Sequence, residues 1–245
     1  MGGVGISSAS HRTCYTVHVR IAVLSDVHGN LVALETVLAD AAGVDAYWFL
    51  GDLVAHGPRP AECVRRVREL PGLVAVRGNT DRYTLTQPPS PEAVPSFDWT
   101  RAALSPHDLA WMGSLPVEAR PHDGVLLVHA SPGRDDGPGL DPHSSDADLV
   151  PVFAPADADL VVVGHTHHPD DRRVGDVRVV NPGSVSLPRP SDASTRYAIL
   201  TSTDDDWSVE HRAVPYDRDA VLVDLTSGDH PSADWLVEKR TTPWG

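Results

Sequence analysis

The sequence predicts an α/β domain, and three observations lead to that fold class. Apolar runs of strand length alternate with helical patterns through most of the chain. Hydrophobic residues make up 41% of the 245 residues, which is enough for a sizeable core. This length fits one large domain, or one domain with a small insert.

The first predicted strand is residues 18–24, an apolar run that ends just before Asp26 and His28. A helix is expected next, because Asn30 is a good N-cap residue and apolar residues recur at helical spacing from Leu31 onward. The two polar side chains therefore lie in a turn between a strand and a helix. Taken alone, this pair is most simply a turn with a capping Asp.

Two further strands are predicted at residues 46–50 and 73–76, with a helix at about 61–70 between them. The first of these strands ends before Asp52, and the second ends before Asn79. Polar side chains thus follow three successive apolar runs.

A helical insert is expected at about residues 82–118. The Pro- and Ser-rich stretch 87–96 marks a change of organisation, and two short helical patterns follow it. The second has a capping box, with Ser105 at the N-cap, Pro106 at the first helical position and Asp108 at the third. The insert is either a helical hairpin packed on the main sheet or a cap over a site.

The fourth predicted strand, residues 125–128, ends at His129. After it, the Gly-, Pro- and Asp-rich residues 131–144 indicate a long irregular loop, and residues 146–153 indicate a short helix. Substrate specificity is expected to reside in this loop and in the insert.

Residues 159–167 indicate chemistry more strongly than any other stretch. Four apolar residues, three of them β-branched, are typical of a strand buried on both faces. Gly164 then allows a tight turn, and His165 and His167 follow it. Alternate side chains of an extended or irregular segment point to opposite sides, so these imidazoles suit two different metal ions better than one.

The remaining chain predicts an antiparallel series of strands and two closing helices. The strands are expected at 177–180, 197–201 and 207–213, and the helices at 217–225 and 233–239.

The N-terminal residues 1–17 are expected to be a disordered extension of a domain that spans residues 18–240. Cys14 and Cys63 form no CxxC pair, which argues against a disulfide framework or a Cys-based zinc site. This cysteine usage favours a reducing, cytoplasmic setting.

The formal net charge of −14 and the pI near 5.2 argue against broad binding of nucleic acid, which needs a basic surface. A small phosphorylated substrate remains compatible, because bound divalent cations supply local positive charge. No apolar run approaches the ~20 residues of a membrane span, so no membrane partner is expected. The oligomeric state is left open by the sequence.

Five apolar strands therefore end in potential metal ligands. These are Asp26 and His28, Asp52, Asn79, His129, and His165 and His167. Because sites in α/β sheets form where the carboxyl ends of strands gather, we expect these side chains to converge. A set of carboxylate, amide and imidazole groups suits Mn, Fe, Zn, Ni or Co. Seven ligands are too many for one tetrahedral zinc ion, and are about right for two ions that share a bridging carboxylate.

In this order along the chain, the motifs resemble those of the calcineurin-like metallophosphoesterase superfamily. They are Asp26-x-His28, Gly51-Asp52, Gly78-Asn79-x-Asp81, His129 and Gly164-His165-x-His167. The resemblance runs from about residue 19 to 215, and the loop Asn181-Pro182-Gly183-Ser184 is similar to the small bacterial and archaeal phosphodiesterase branch. It implies a four-layer α/β/β/α fold, a sandwich of two facing β-sheets flanked by helices, with the site at one end.

The resemblance also implies a role for each matching residue. Asp26, His28 and His167 would hold one divalent transition metal ion. Asn79, His129 and His165 would hold the other, and Asp52 would bridge the two. Such ions lie ~3.5–4 Å apart and lower the pKa of a bridging water, so that the resulting hydroxide attacks phosphorus.

The implied function is binuclear metal-dependent hydrolysis, most simply of a phosphodiester. A phosphomonoesterase and a dinucleoside polyphosphate hydrolase are alternatives within enzymes. A non-catalytic scaffold that kept the fold is the alternative from another class.

One position departs from the family pattern. Many members carry His after the Asn, where it assists the leaving group, but this chain has Thr80, whose hydroxyl is a poor general acid near neutral pH. We take His56, in the loop after Asp52, as a substitute proton donor, because imidazole titrates near neutrality. A loop histidine in solvent is the alternative for His56. Asp81 is expected to brace the loop that holds Asn79 rather than to react.

Three arginines are candidate phosphate contacts, with structural or solvated roles as the alternatives. They are Arg59, Arg77 and Arg189.

Overall fold

The computed structural model describes residues 18–189, 194–204 and 206–241, so the extension predicted at 1–17 lies outside the described residues. In the described part, two mixed five-stranded sheets pack face to face, and helices cover their outer surfaces. The predicted α/β/β/α fold class is confirmed.

The described strands and helices follow one another in an α/β order at first and end in a β-rich segment and two helices. The strands are β1 (Arg20–Leu24), β2 (Ala46–Phe49), β3 (Val74–Ala75), β4 (Glu118–Ala119), β5 (Val125–Val128), β6 (Leu160–Val162), β7 (Pro169–Val174), β8 (Val177–Pro182), β9 (Ser194–Ser202) and β10 (Trp207–Pro215). The α-helices are α1 (Leu31–Asp40), α2 (Pro60–Arg68), α3 (Asn79–Leu85), α4 (Val94–Ala103), α5 (Pro106–Ser114), α6 (Asp146–Phe153), α7 (Arg218–Ser227) and α8 (Ala233–Thr241).

The two sheets have the orders β10-β9-β1-β2-β3 and β4-β5-β6-β8-β7. In the first, β1, β2 and β3 are parallel, and in the second β5, β6 and β8 are parallel. The carboxyl ends of β1, β2 and β3 and of β5 and β6 lead into the loops that carry the predicted ligands. This arrangement places the site at one end of the sandwich.

The side chains of β1 point alternately into two apolar cores, which lie on opposite faces of the first sheet. Ile21 and Val23 face the second sheet in an apolar core that they share with Leu127 and Val162. Their neighbours in β1 point the other way, into the core beneath α1 and α2. A third core lies between the second sheet and α6, and Phe153 is buried there.

The helix starts follow the expected capping chemistry. The Asn30 side chain accepts a hydrogen bond from the Ala33 N–H at 3.1 Å and begins α1. Ser105 and Asp108 form the predicted capping box at the start of α5, with the Asp108 N–H donating to Ser105 Oγ at 3.2 Å.

The topology differs from the sequence prediction at β8. The pair β9 and β10 is antiparallel as expected, but β8 lies parallel to β6 in the other sheet, and the chain crosses between sheets after it. Three elements were not predicted, and the first of them, β4, is only two residues long. The strand β7 is a polar edge strand, and α3 has buried Thr and Asp side chains in place of an apolar face, so neither shows the usual periodicity.

The helices of the expected insert pack on the body of the fold. Leu104 and Met112 join the core that also contains Val64 and Val67 of α2. Phe97 of α4 reaches the ring of His56 at a centroid distance of 6.2 Å. The helices thus form a packed layer beside α2, and Phe97 links this layer to the loop after β2. The expectation that they form a cap over the site stays a prediction.

None of the helices in residues 18–189, 194–204 and 206–241 is long and apolar enough to cross a bilayer.

Candidate metal centre

The seven side chains predicted to converge lie together at the carboxyl ends of β1, β2, β3, β5 and β6. Three close contacts link residues that are far apart in sequence. His28 Nε2 lies 3.3 Å from His167 Nε2, His129 Nε2 lies 3.0 Å from Asn79 Oδ1, and His165 Nδ1 lies 3.0 Å from the same oxygen.

Asp26, His28 and His167 form a first group. Asp26 Oδ1 lies 3.1 Å from His167 Nε2 and 3.8 Å from His28 Nε2. One ligand atom of each residue lies within 4.8 Å of the others, which is close enough to coordinate one ion.

Asn79, His129 and His165 form a second group. Besides their contacts to Asn79 Oδ1, the ring atoms His165 Nδ1 and His129 Nε2 are 3.3 Å apart. His165 and His167 thus face different groups, as their spacing predicts.

Asp52 lies between the two groups and directs one carboxylate oxygen to each. Its Oδ1 is 3.4 Å from His129 Nε2, and its Oδ2 is 3.8 Å from His28 Nε2. The carboxylate is buried, with 4% of the side chain exposed. This position suits a bridging ligand.

The donor set fits divalent cations. Asp26 Oδ1 is buried and accepts no hydrogen bond of acceptable geometry from the described residues, which is costly unless a cation neutralises it. Burial lowers the pKa of His28 to about 4, so this imidazole is neutral near pH 7 and has a lone pair for a metal.

Backbone carbonyls orient two of the four imidazoles. His129 Nδ1 lies 2.7 Å from the Leu50 carbonyl, and His167 Nδ1 lies 2.8 Å from the Leu187 carbonyl. Each contact makes Nδ1 the protonated nitrogen and leaves Nε2 for the centre. The outer Nδ1 of His28 has no hydrogen-bond partner among the described residues, so no such contact orients this ring.

Strained backbone carries most of these side chains. Five of the seven residues have positive φ: Asp26 (57°), His28 (47°), Asp52 (55°), His165 (67°) and His167 (64°). Such angles are uncommon for residues other than glycine and concentrate at functional sites.

The loop after β3 fits against the loop after β2 because Gly78 has no side chain. A Cβ added at Gly78 would lie 2.1 Å from Asp52 Oδ1. The Thr80 N–H donates to that same oxygen at 2.9 Å. The glycine of the Gly-Asn motif therefore lets a backbone donor fix the orientation of Asp52.

Asp81 holds the same two loops together. Its Oδ2 accepts the Gly78 and Asp52 N–H groups at 3.0 and 2.9 Å, and its Oδ1 accepts the Leu53 and Val54 N–H groups at 2.9 and 3.3 Å. Burial, and then the charge of Asp52, raise the pKa of Asp81 to about 7.

A cavity of about 240 Å³ opens over the centre. It is lined by His28, Asp52, His56, Asn79, Thr80, His165, His167, Leu187, Arg189 and Trp235. His56 is therefore at the site, with its ring 5.1 Å from that of His28. The Thr80 hydroxyl donates to the Val54 carbonyl at 3.1 Å, so its proton is engaged in holding the loop.

The three candidate arginines have different surroundings. Arg59 makes two hydrogen bonds to Asp224, at 2.7 and 2.8 Å, and Arg77 lies 3.5 Å from Asp135. Arg189 lines the cavity. Leu187 and Trp235 were not singled out in the sequence, since neither belongs to a motif.

The family model for the calcineurin-like phosphoesterase superfamily domain matches residues 19–205. The solved structure of a metallophosphoesterase from Sphaerobacter thermophilus is 31% identical, with a TM-score of 0.76, and the match covers 90% of this chain and 99% of that one. The phosphodiesterase YfcE of Escherichia coli is 28% identical over 74% of this chain and 87% of its own length.

A symmetrical bis(5'-nucleosyl)-tetraphosphatase of Vibrio cholerae is 32% identical over a shorter stretch, 44% of this chain and 43% of its own length.

Proposed function

This chain belongs to the calcineurin-like phosphoesterase superfamily, and on that premise we propose that it hydrolyses phosphodiesters with the help of two divalent metal ions. The position of Asp52 carries the proposal, because its two oxygens face two separate groups of ligand atoms. A single-ion site needs no such carboxylate. The likeness to YfcE, named as a phosphodiesterase, supports the class of substrate.

The proposed ligands follow from the two groups. Asp26, His28 and His167 would hold one ion, Asn79, His129 and His165 would hold the other, and Asp52 would contact both. Bound ions of this kind lower the pKa of water towards neutrality and neutralise phosphate oxygens, and Mn²⁺ is the first ion to try.

Side chains around the ligands would complete the reaction. His56 lies beside His28 at the cavity wall, where its imidazole can give a proton to the leaving oxygen. Arg189 adds positive charge for the phosphate at the cavity wall. Asp81 fixes the loops that carry Asp52 and Asn79 relative to each other, and it takes no part in proton transfer.

A dinucleoside polyphosphate hydrolase is the second candidate, favoured by the likeness to the tetraphosphatase, although the match covers less than half of that enzyme. The non-catalytic scaffold is less favoured, because it has no need of a complete ligand set, four members of which, Asp26, His28, Asp52 and His129, are buried.

The test is hydrolysis of bis(p-nitrophenyl) phosphate by EDTA-treated protein, before and after addition of Mn²⁺. Activity that appears only with the ion is expected, together with a lower rate on p-nitrophenyl phosphate, a monoester. His167→Ala should lose at least about 100-fold in kcat, whereas the neighbouring His168→Ala should stay within about twofold. Stoichiometric metal binding without hydrolysis for any divalent ion would support the scaffold instead.

A further inference from the structure

Trp235 is an aromatic side chain left partly in solvent at the cavity wall. It is 45% exposed, and in the described part of the chain the other exposed large apolar side chains are the aliphatic Val94 and Val223. It also lines the cavity over the metal ligands. An indole at the rim of a cavity, with part of its apolar surface in solvent, offers a ligand a flat apolar surface and a polar N–H.

The structure holds Trp235 in place through the helical hairpin α7–α8. Its neighbour Leu236 is fully buried against Val221 and Leu225 of α7. A second anchor joins the hairpin to the loop after β2, because Arg59 makes two hydrogen bonds with Asp224. A side chain fixed in this way loses little conformational entropy when it binds a ligand.

The cavity has proposed metal ligands at its floor and an aromatic side chain at its wall. The ring of Trp235 lies 5.8 Å from that of His56, and His56 lies 5.1 Å from His28. An aromatic surface is therefore two ring contacts away from a metal ligand, and Arg189 lines the same space. A phosphate over the ligands would leave the group attached to it beside the indole.

We infer that Trp235 is a specificity-determining residue, which stacks on the nucleobase of a nucleoside phosphodiester. The inference rests on the proposed function and adds to it the substrate class. An aromatic side chain stacks on any base. The contact therefore favours nucleoside diesters over aliphatic diesters and does not distinguish one base from another. The cavity of about 240 Å³ falls just under the ~300–1,000 Å³ of typical ligand sites, which favours one nucleoside unit over two.

The experiment uses the full chain loaded with Mn²⁺ and two diesters that share a leaving group. These are thymidine 5'-(p-nitrophenyl phosphate) and methyl p-nitrophenyl phosphate. Trp235→Ala should lower kcat/KM for the thymidine diester about tenfold and leave the methyl diester within about twofold. Trp235→Phe should keep most of the preference for the thymidine diester. Val223→Ala, on the same hairpin, should leave kcat/KM unchanged for both diesters.

Calorimetry gives a readout that needs no turnover. Binding of thymidine 5'-monophosphate should weaken about tenfold in Trp235→Ala, while binding of methyl phosphate stays the same. An equal loss of affinity for both ligands, or no loss for either, would overturn the role of Trp235. A wild-type protein that hydrolyses neither diester contradicts the proposed function, and the calorimetric comparison then decides the role of Trp235 alone.

Discussion

The carboxylate of Asp81 accepts the backbone N–H of Asp52 at 2.9 Å, which fixes the backbone of the proposed bridging ligand. The two residues are 29 positions apart, and three more N–H groups from both loops reach the same carboxylate. A buried acceptor with four donors is a strong constraint on the position of Asp52.

Replacement of Asp81 by Asn should therefore weaken metal binding, although Asp81 is not itself a proposed ligand. The amide NH₂ would face at least one of the four N–H donors, which would leave that group buried and unsatisfied. We expect a loss of about 1–3 kcal/mol in the free energy of unfolding and a weaker affinity for Mn²⁺. Thermal unfolding in EDTA and metal titration measure the two effects.

Asp108→Asn is the matched control, because Asp108 is also buried but caps α5 away from the site. It should cost about 1 kcal/mol of stability and leave metal affinity unchanged. Asp81→Asn with wild-type metal affinity would show that the four hydrogen bonds do not position the ligands.

Replacement of His56 by Ala should slow the reaction in a way that depends on the leaving group. A diester with an alkyl leaving group needs a proton, so kcat should fall by about 100-fold or more. A p-nitrophenyl diester needs little protonation and should lose much less. Metal content, measured by mass spectrometry, should remain that of the wild type.

Equal losses of kcat for the two kinds of diester, or no loss for either, would show that His56 is not the proton donor. Loss of metal would instead make His56 part of the ligand sphere, since its ring lies beside that of His28.

Metal affinity should increase with pH. Burial lowers the pKa of His129, but the carboxylates of Asp52 and Asp26 and the contact to the Leu50 carbonyl together raise it to about 10 in the metal-free protein. Below that pH the imidazole holds a proton that it must lose in order to bind a metal. Affinity for Mn²⁺ should thus increase about tenfold per pH unit from about pH 6 to 8, and more steeply if His167, whose pKa is also raised, releases a proton too.

Calorimetry in two buffers of different ionisation enthalpy counts the released protons. The expected count is between one and two per protein at neutral pH. An affinity that does not change with pH would contradict the assignment of His129 as a ligand.

The apolar strands, their polar ends and the order of the motifs were predictable, because each depends on a short local pattern. The ends of β1, β2 and β6 are examples, where an apolar run stops before Asp26, Asp52 and His165. The pairing of β8 with β6 was not predictable, since hydrophobic pattern does not specify which strand is the neighbour.

Trp235, one part of the cavity wall, could not be predicted from the sequence for a related reason. Trp235 reaches the site only through the docking of α8, and that depends on tertiary contacts such as the burial of Leu236. The expected specificity regions, residues 131–144 and the insert, contribute none of the residues that line the described cavity.

A crystal structure of the Mn²⁺-loaded protein, with anomalous diffraction data, tests the central claim most directly. Two anomalous peaks are predicted, one among Asp26, His28 and His167 and the other among Asn79, His129 and His165, with Asp52 in contact with both. A single peak, or two peaks of which Asp52 touches only one, would contradict the two-ion account.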